Sequence, residues 1–215
     1  MLMLMLAKRI RQLGDQQQQK RWERFTAGDL DGKTVGVLGL GHIGEATARR
    51  CKAFGMRVLA TRRSCTRRES RDDGMADEVF PPGQVLEMLP QCDFVVLALP
   101  LTAETRHILG ERELRALKPA TFVINVGRGG LIDEPALIRA LREGRIAGAG
   151  LDVFETEPLP PGSPLWEMPN VIVTPHMAGG TESHDERVSA ILRENLGRYM
   201  QGRPLLNLLH PERGY

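Results

Sequence analysis

Three side chains of different chemistry sit in three short segments that follow one another along the second half of the chain. Arg128 lies in Asn125-Val126-Gly127-Arg128-Gly129-Gly130, Glu157 in Gly150-Leu151-Asp152-Val153-Phe154-Glu155-Thr156-Glu157-Pro158, and His176 in Thr174-Pro175-His176-Met177-Ala178-Gly179-Gly180. A guanidinium, a carboxylate and an imidazole together suit hydride reduction of a 2-oxo acid. The cation fixes the substrate carboxylate and polarises the carbonyl, and the imidazole delivers a proton to the oxygen as hydride arrives. The carboxylate fixes the imidazole's tautomer and favours its protonated form. Asp152 offers an acceptor for a nicotinamide carboxamide. Singly, each has a structural alternative: Arg128 a surface ion pair, Glu157 and Asp152 loop or capping residues, His176 a satisfied histidine at a strand end. Their joint occurrence points to a site.

A second constellation lies upstream. Val35-Gly36-Val37-Leu38-Gly39-Leu40-Gly41-His42-Ile43-Gly44 places G-x-G-x-x-G directly after an apolar strand and at the start of a helix. In that context Gly39 permits a tight turn, Gly41 lets backbone approach a pyrophosphate, and Gly44 lets helix and strand come close. His42, inside the loop, reads as a surface or pyrophosphate-facing side chain. The next strand ends Thr61-Arg62-Arg63-Ser64, where a ribose-binding carboxylate is expected for NAD; Arg62 stands there instead, 23 residues beyond Gly39. Arginine binds a 2′-phosphate through charge-assisted hydrogen bonds, which moves the expected cofactor from NAD toward NADP. The alternative is that Arg62, Arg63, Arg67 and Arg68 form a solvated basic loop.

The elements that must position these residues follow from the hydrophobic pattern. Short, nearly continuous apolar runs at 34–38, 57–60, 94–99, 121–126, 147–151 and 171–173 read as strands buried on both faces. Amphipathic stretches at about 43–54, 83–90, 111–117 and 134–143 alternate with them. This predicts an α/β fold, a doubly wound parallel sheet of the Rossmann type. Residues 1–24 read as one helix broken before the first strand by Gly28 and Asp29, and 181–200 as a last helix leading to a proline-containing tail. The expected organisation is an opening helix and linker over 1–30, a dinucleotide-binding domain over 31–180, and a C-terminal helix and tail over 181–215, the remnant of a second domain.

Composition narrows the classes. The 215 residues, 41% hydrophobic, can bury one sizeable core, and 29 basic against 27 acidic residues leave no global field for nucleic acid or an anionic membrane. Cys51, Cys65 and Cys92 are odd in number and widely spaced, which argues against a disulfide framework or structural zinc and fits a reducing cytoplasm. The opening MLMLML is short, with its charges after it, the reverse of a secretory signal. No apolar run reaches the roughly 20 residues that span a bilayer.

The segments GLGHIG, LPLTAETRHIL, NVGRGGLIDEPAL, GAGLDVFETEPLP and VIVTPHMAGG resemble the successive signatures of the D-isomer-specific 2-hydroxyacid dehydrogenases, over essentially the whole chain. The resemblance implies an NAD(P)-dependent oxidoreductase with Arg128, Glu157 and His176 in the active site. The cofactor contacts it implies begin at Gly39, Gly41, His42, Ile43 and Gly44, then Arg62 with Arg63 and Ser64. They continue through Leu99, Pro100 and Thr105, then Val126, Gly127 and Arg128, and close with Asp152, His176, Ala178 and Gly179. The family includes formate, glycerate, lactate, phosphoglycerate, hydroxypyruvate and glyoxylate enzymes, and these motifs do not separate them; a glyoxylate/hydroxypyruvate-reductase-like activity is the expectation. Family members carry roughly a hundred residues before the helix that here starts at Met1, a flavodoxin-like half-domain that supplies amides to the substrate carboxylate. The resemblance therefore also admits a truncated, weakly active or inactive nucleotide-binding and self-associating module. It implies a homodimer through the nucleotide domain, with Trp22, Phe25 and Trp166 as interface anchors or core. Leu205, Leu206, Leu208 and Leu209 are expected to find little to pack against.

Overall fold

The computed structural model describes residues 1–70 and 74–209. In chain order the elements are α1 (Leu2–Ala7), α2 (Ile10–Gln18), β1 (Thr34–Leu38), α3 (His42–Ala53), β2 (Arg57–Thr61), β3 (Glu69–Ser70), β4 (Glu78–Phe80), α4 (Val85–Met88), β5 (Phe94–Leu97), α5 (Glu111–Ala116), β6 (Phe122–Asn125), α6 (Glu134–Arg142), β7 (Gly148–Leu151), β8 (Val171–Val173) and α7 (His184–Met200). The sheet runs β3-β4-β2-β1-β5-β6-β7-β8. Every neighbouring pair is parallel except β3 on β4.

The parallel, doubly wound sheet expected from the apolar runs is the fold observed. Val35, Val37, Val58, Ala60, Val95, Val123 and Ala149 are fully buried, as strands covered by helices on both faces must be. From β1 the chain winds outward through β2 to β4, then returns to place β5 on the other side of β1. That reversal puts a switch point between β1 and β5, and open α/β sheets take their ligands in the crevice at the carboxyl ends of the strands at such a point.

The structure departs from the sequence reading at three places. The opening helix is two helices, because Arg9 adopts a left-handed conformation (φ 51°), and the second ends at Gln18, well before Gly28. Burial explains the break: Leu2, Leu6 and Ala7 are buried, and Leu2 and Leu6 lie over Gly150 of β7, whereas α2 has no buried residue. β3 and β4, two and three residues long, were not expected; segments so short carry no period. The amphipathic stretch at 83–90 is a one-turn α4 with 3-10 turns at Pro82–Gln84 and Leu89–Gln91, where Pro82 and Pro90 sit within the first two positions of each turn.

The chain divides into two compact units, Met1–Pro175 and His176–Tyr215. In the second, the tail folds back on α7: Asn195 exchanges two hydrogen bonds with Leu206 (2.7 and 3.1 Å), and the Arg198 guanidinium donates to the Pro204 carbonyl at 3.2 Å. Val188, Leu192, Leu196 and Tyr199 of α7 are exposed, as are Leu206, Leu208 and Leu209. In the first unit Trp22 is 91% exposed, Phe25 is half-buried beneath Arg9 at 5.7 Å, and the Trp166 indole donates to the Pro160 carbonyl at 3.0 Å. Among the described residues no helix is long and apolar enough to cross a membrane.

If α1 is part of the core, Leu6→Ala should lower stability by about 2–5 kcal/mol in denaturant unfolding, the usual cost of emptying a buried leucine site. An unchanged unfolding midpoint would make α1 a dispensable appendage.

Candidate functional site

The glycine turn connects β1 to α3 at the crevice. Gly39 holds φ 96°, and a Cβ there would meet the Leu99 side chain at 2.7 Å, so the turn and the loop after β5 touch directly. A Cβ on Gly44 would fall 2.0 Å from the Gly39 carbonyl, which only glycine avoids. Gly41 differs, since nothing lies within 4 Å of its would-be Cβ. Its side faces open space, and no side chain caps α3, which leaves first-turn amides available to an anion. His42 and Ile43 are exposed at the mouth of the turn, Ile43 by 58%. These residues fit a dinucleotide pyrophosphate.

The end of β2 holds the turn in place. The Thr61 hydroxyl accepts the Gly39 amide at 3.1 Å and the Thr61 carbonyl accepts the Leu40 amide at 2.9 Å. Arg62 follows, its amide donating to Phe80 of β4 at 3.3 Å. The basic loop is not uniform. Arg68 pairs with Glu78 and lies over the Phe80 ring at 4.6 Å, and Arg57 binds the same carboxylate. The Arg62 guanidinium has no ion pair or hydrogen bond among the described residues, while Ser64 is exposed beside it.

Beyond β5 the loop carrying Leu99 and Pro100 is braced by Thr105, whose hydroxyl donates to the Pro100 carbonyl at 2.7 Å and accepts the Thr102 amide at 2.8 Å. After β6, buried Asn125 shapes the next loop: its side chain accepts the Gly127 amide at 3.1 Å and donates to the Arg128 carbonyl at 2.9 Å. Val126 and Gly127 are thereby turned inward and Arg128 is left exposed, with Nη1 donating to the Gly127 carbonyl at 2.8 Å. After β7, Asp152 is buried, accepts the Thr174 hydroxyl at 2.5 Å, and donates its amide to the Asn125 carbonyl at 3.0 Å. The Glu157 carboxylate accepts the Phe154 amide at 2.9 Å.

The Arg128 and Glu157 loops meet backbone to backbone. A Cβ on Gly129 would lie 1.9 Å from both the carbonyl carbon and oxygen of Phe154. Arg128, Asp152 and Glu157 thus share one edge of the first unit with the glycine turn. His176 opens the second unit in a left-handed conformation (φ 51°), followed by Met177, Ala178 and Gly179. Two positions that matter for geometry, Thr61 and Asn125, were not singled out from sequence. A buried polar residue at the last position of an apolar strand is the signal that marks both.

Fold and site define a dinucleotide-binding unit of the doubly wound class. The model of the D-isomer specific 2-hydroxyacid dehydrogenase NAD binding domain matches residues 1–178, and the chain belongs to this family. It is 43% identical over 184 residues to a glyoxylate reductase from Korarchaeum cryptofilum, covering 86% of this chain and 54% of that one. Among solved structures it resembles a D-isomer specific 2-hydroxyacid dehydrogenase from Xanthobacter autotrophicus in complex with NADPH (39% identity, TM-score 0.85, 99% of this chain and 85% of that one). It also resembles an NADPH-dependent glyoxylate/hydroxypyruvate reductase from Sinorhizobium meliloti (31% identity, TM-score 0.86, 99% and 66%). The chain spans 54% of the length of the Korarchaeum relative.

Because Gly129 has no room for a side chain, Gly129→Ala should force the two loops apart and cost about 1–3 kcal/mol in denaturant unfolding, the usual penalty of overpacking. A variant as stable as the parent would show that the loops separate freely.

Proposed function

We propose that this chain is the nucleotide-binding part of a reductase that uses NADPH in preference to NADH to reduce a small 2-oxo acid such as glyoxylate or hydroxypyruvate. The observation that carries the cofactor choice is Arg62: it stands at the end of β2, beside the glycine turn, with its guanidinium unpaired among the described residues. The similarity to the Korarchaeum glyoxylate reductase and the Sinorhizobium glyoxylate/hydroxypyruvate reductase supports the substrate class.

Under this reading the α3 amides and the turn Gly39 to Gly44 hold the pyrophosphate, Arg62, Arg63 and Ser64 the 2′-phosphate, and Asp152 the carboxamide. Leu99, Pro100, Thr105, Val126, Gly127, Ala178 and Gly179 line the remainder. Bound NADPH supplies hydride to the carbonyl carbon. Arg128 holds the substrate carboxylate and polarises the carbonyl, His176 donates the proton to the carbonyl oxygen, and Glu157 orients the imidazole. Residues 31–180 form the binding domain in this scheme, with 1–30 leading in and 181–215 leading out toward a substrate-binding domain. Two copies pair through the nucleotide domain, which the exposed Trp22 supports, and three free, buried cysteines suit a reducing cytoplasm.

Calorimetry should find NADPH binding tighter than NADH binding. Arg62→Asp should reverse that order, because the substitution removes the phosphate's counter-charge, adds a like charge and offers the ribose hydroxyls an acceptor. Equal parental affinities would reduce the arginines to a solvated loop. In steady-state assays with NADPH against glyoxylate, hydroxypyruvate and pyruvate, Arg128→Ala should lower turnover by on the order of 10²–10³ while cofactor affinity holds, since its charge acts on the reacting oxygens. Absence of turnover with every 2-oxo acid would sink the proposed activity.

A further inference from the structure

Outside the reactive set, three titratable side chains meet where the loops after β5, β6 and β7 converge. Glu155 Oε1 lies 2.9 Å from His107 Nε2 and accepts the Glu134 amide at 3.4 Å. The Glu155 amide donates in turn to Glu134 Oε2 at 3.2 Å. Each glutamate accepts the other's backbone, and the imidazole closes the set. Burial raises the Glu134 carboxyl above its ordinary pKa and the neighbouring Glu155 carboxylate adds to the rise. Each carboxylate faces a backbone amide of the other residue, and Glu155 faces the His107 imidazole as well. It occupies the left-handed region at φ 52°, an uncommon conformation for a residue with a side chain, which the surrounding contacts must hold. A cavity of about 320 Å³ adjoins, bordered by Leu101, Arg106, His107, Gly130, Glu155 and Thr156.

The set joins segments with different roles. Backbone bonds already stitch the loop after β5 to the loop after β6: His107 donates to Gly130 (2.9 Å), Leu109 to Leu131 (3.1 Å) and Asp133 to Leu109 (3.2 Å). Glu155 brings the loop after β7 to that pair. Its peptide with Phe154 is the one that Gly129 touches, and the Phe154 amide is the one that Glu157 accepts. The Phe154–Glu155 peptide thus abuts Gly129, the neighbour of Arg128, and the preceding peptide carries the amide that the Glu157 carboxylate accepts, so a shift of the backbone at Phe154 would reach both.

We propose that His107, Glu155 and Glu134 form a clasp that positions the Arg128 loop against the Glu157 loop; the purpose of that spacing rests on the reading in which both act on substrate. All three are positioning residues. The Gly39 and Leu40 amides are held by Thr61 at the end of β2, which makes no bond to the three clasp residues. The clasp therefore governs the reacting half of the site and not the hold on the phosphates.

Amide exchange and NMR of the full chain read this geometry without turnover. His107→Ala and Glu155→Ala should speed exchange of the Phe154 amide by on the order of tenfold, about the net worth of one hydrogen bond. They should also move the Asn125 side-chain amide resonances, which report the Arg128 carbonyl. Glu155→Gln keeps an acceptor oxygen and should restore most of the Phe154 protection. Exchange at Gly39 and Leu40 should stay as in the parent. If Glu155→Ala does not fold, His107→Ala and Glu155→Gln make the same comparison. Parental Phe154 exchange and Asn125 resonances in His107→Ala, or equal acceleration at Gly39 and Leu40, would overturn the clasp. A parent that binds NADPH but reduces no 2-oxo acid would instead remove the proposed activity and leave the exchange result standing.

Discussion

At the carboxyl edge of the sheet, backbones approach one another more closely than a Cβ allows. Gly44 sits against the Gly39 carbonyl and Gly129 against the Phe154–Glu155 peptide, with would-be contacts of 2.0 and 1.9 Å. Real Cβ contacts do not reach such distances, so these glycines set how closely α3 meets β1 and how closely the Arg128 loop meets the Glu157 loop. Both the glycine turn and the pairing of the two loops depend on this closeness. Gly41 provides the contrast, because nothing lies within 4 Å of its would-be Cβ.

Polar contacts then divide the labour between the two ends of the strands. At the amino ends, Asp93 accepts the Thr34 amide at 2.9 Å and Lys118 at 3.0 Å, and Asp77 accepts the Val58 amide and Lys52, each at 2.7 Å. Burial works against ionising these carboxylates, but the amide and ammonium donors prevail and hold both below their ordinary pKa. At the carboxyl ends Thr61 and Asn125 do the comparable work with neutral groups. Of the charged side chains there, Arg128 is exposed and Arg62 half-buried.

The arginine-rich loop shows how partners sort residues that look equivalent. Glu78 is only 15% exposed and draws in Arg57 and Arg68, whose charges it satisfies, and Phe80 gives Arg68 a surface to stack on. Arg62 lies one residue past Thr61, whose bonds to the glycine turn fix where β2 ends. Position relative to Glu78 and Thr61, more than the number of arginines, decides which of them is paired within the chain.

The sequence by itself determined the parallel sheet, the glycine turn and the order of the reactive segments. Strands buried on both faces require runs such as those at 34–38 and 94–97, and a turn at φ 96° requires a glycine such as Gly39; both are local demands that leave local traces. Tertiary structure alone decided the rest. It paired the short β3 with β4, drew Leu2 and Leu6 onto β7, assigned Arg68 and not Arg62 to Glu78, and brought Gly129 to the Phe154 carbonyl and His107 to Glu155 across 48 residues of chain. Such contacts join residues far apart in sequence, and which ones meet depends on strand register and crossover geometry, which no periodicity within either segment encodes.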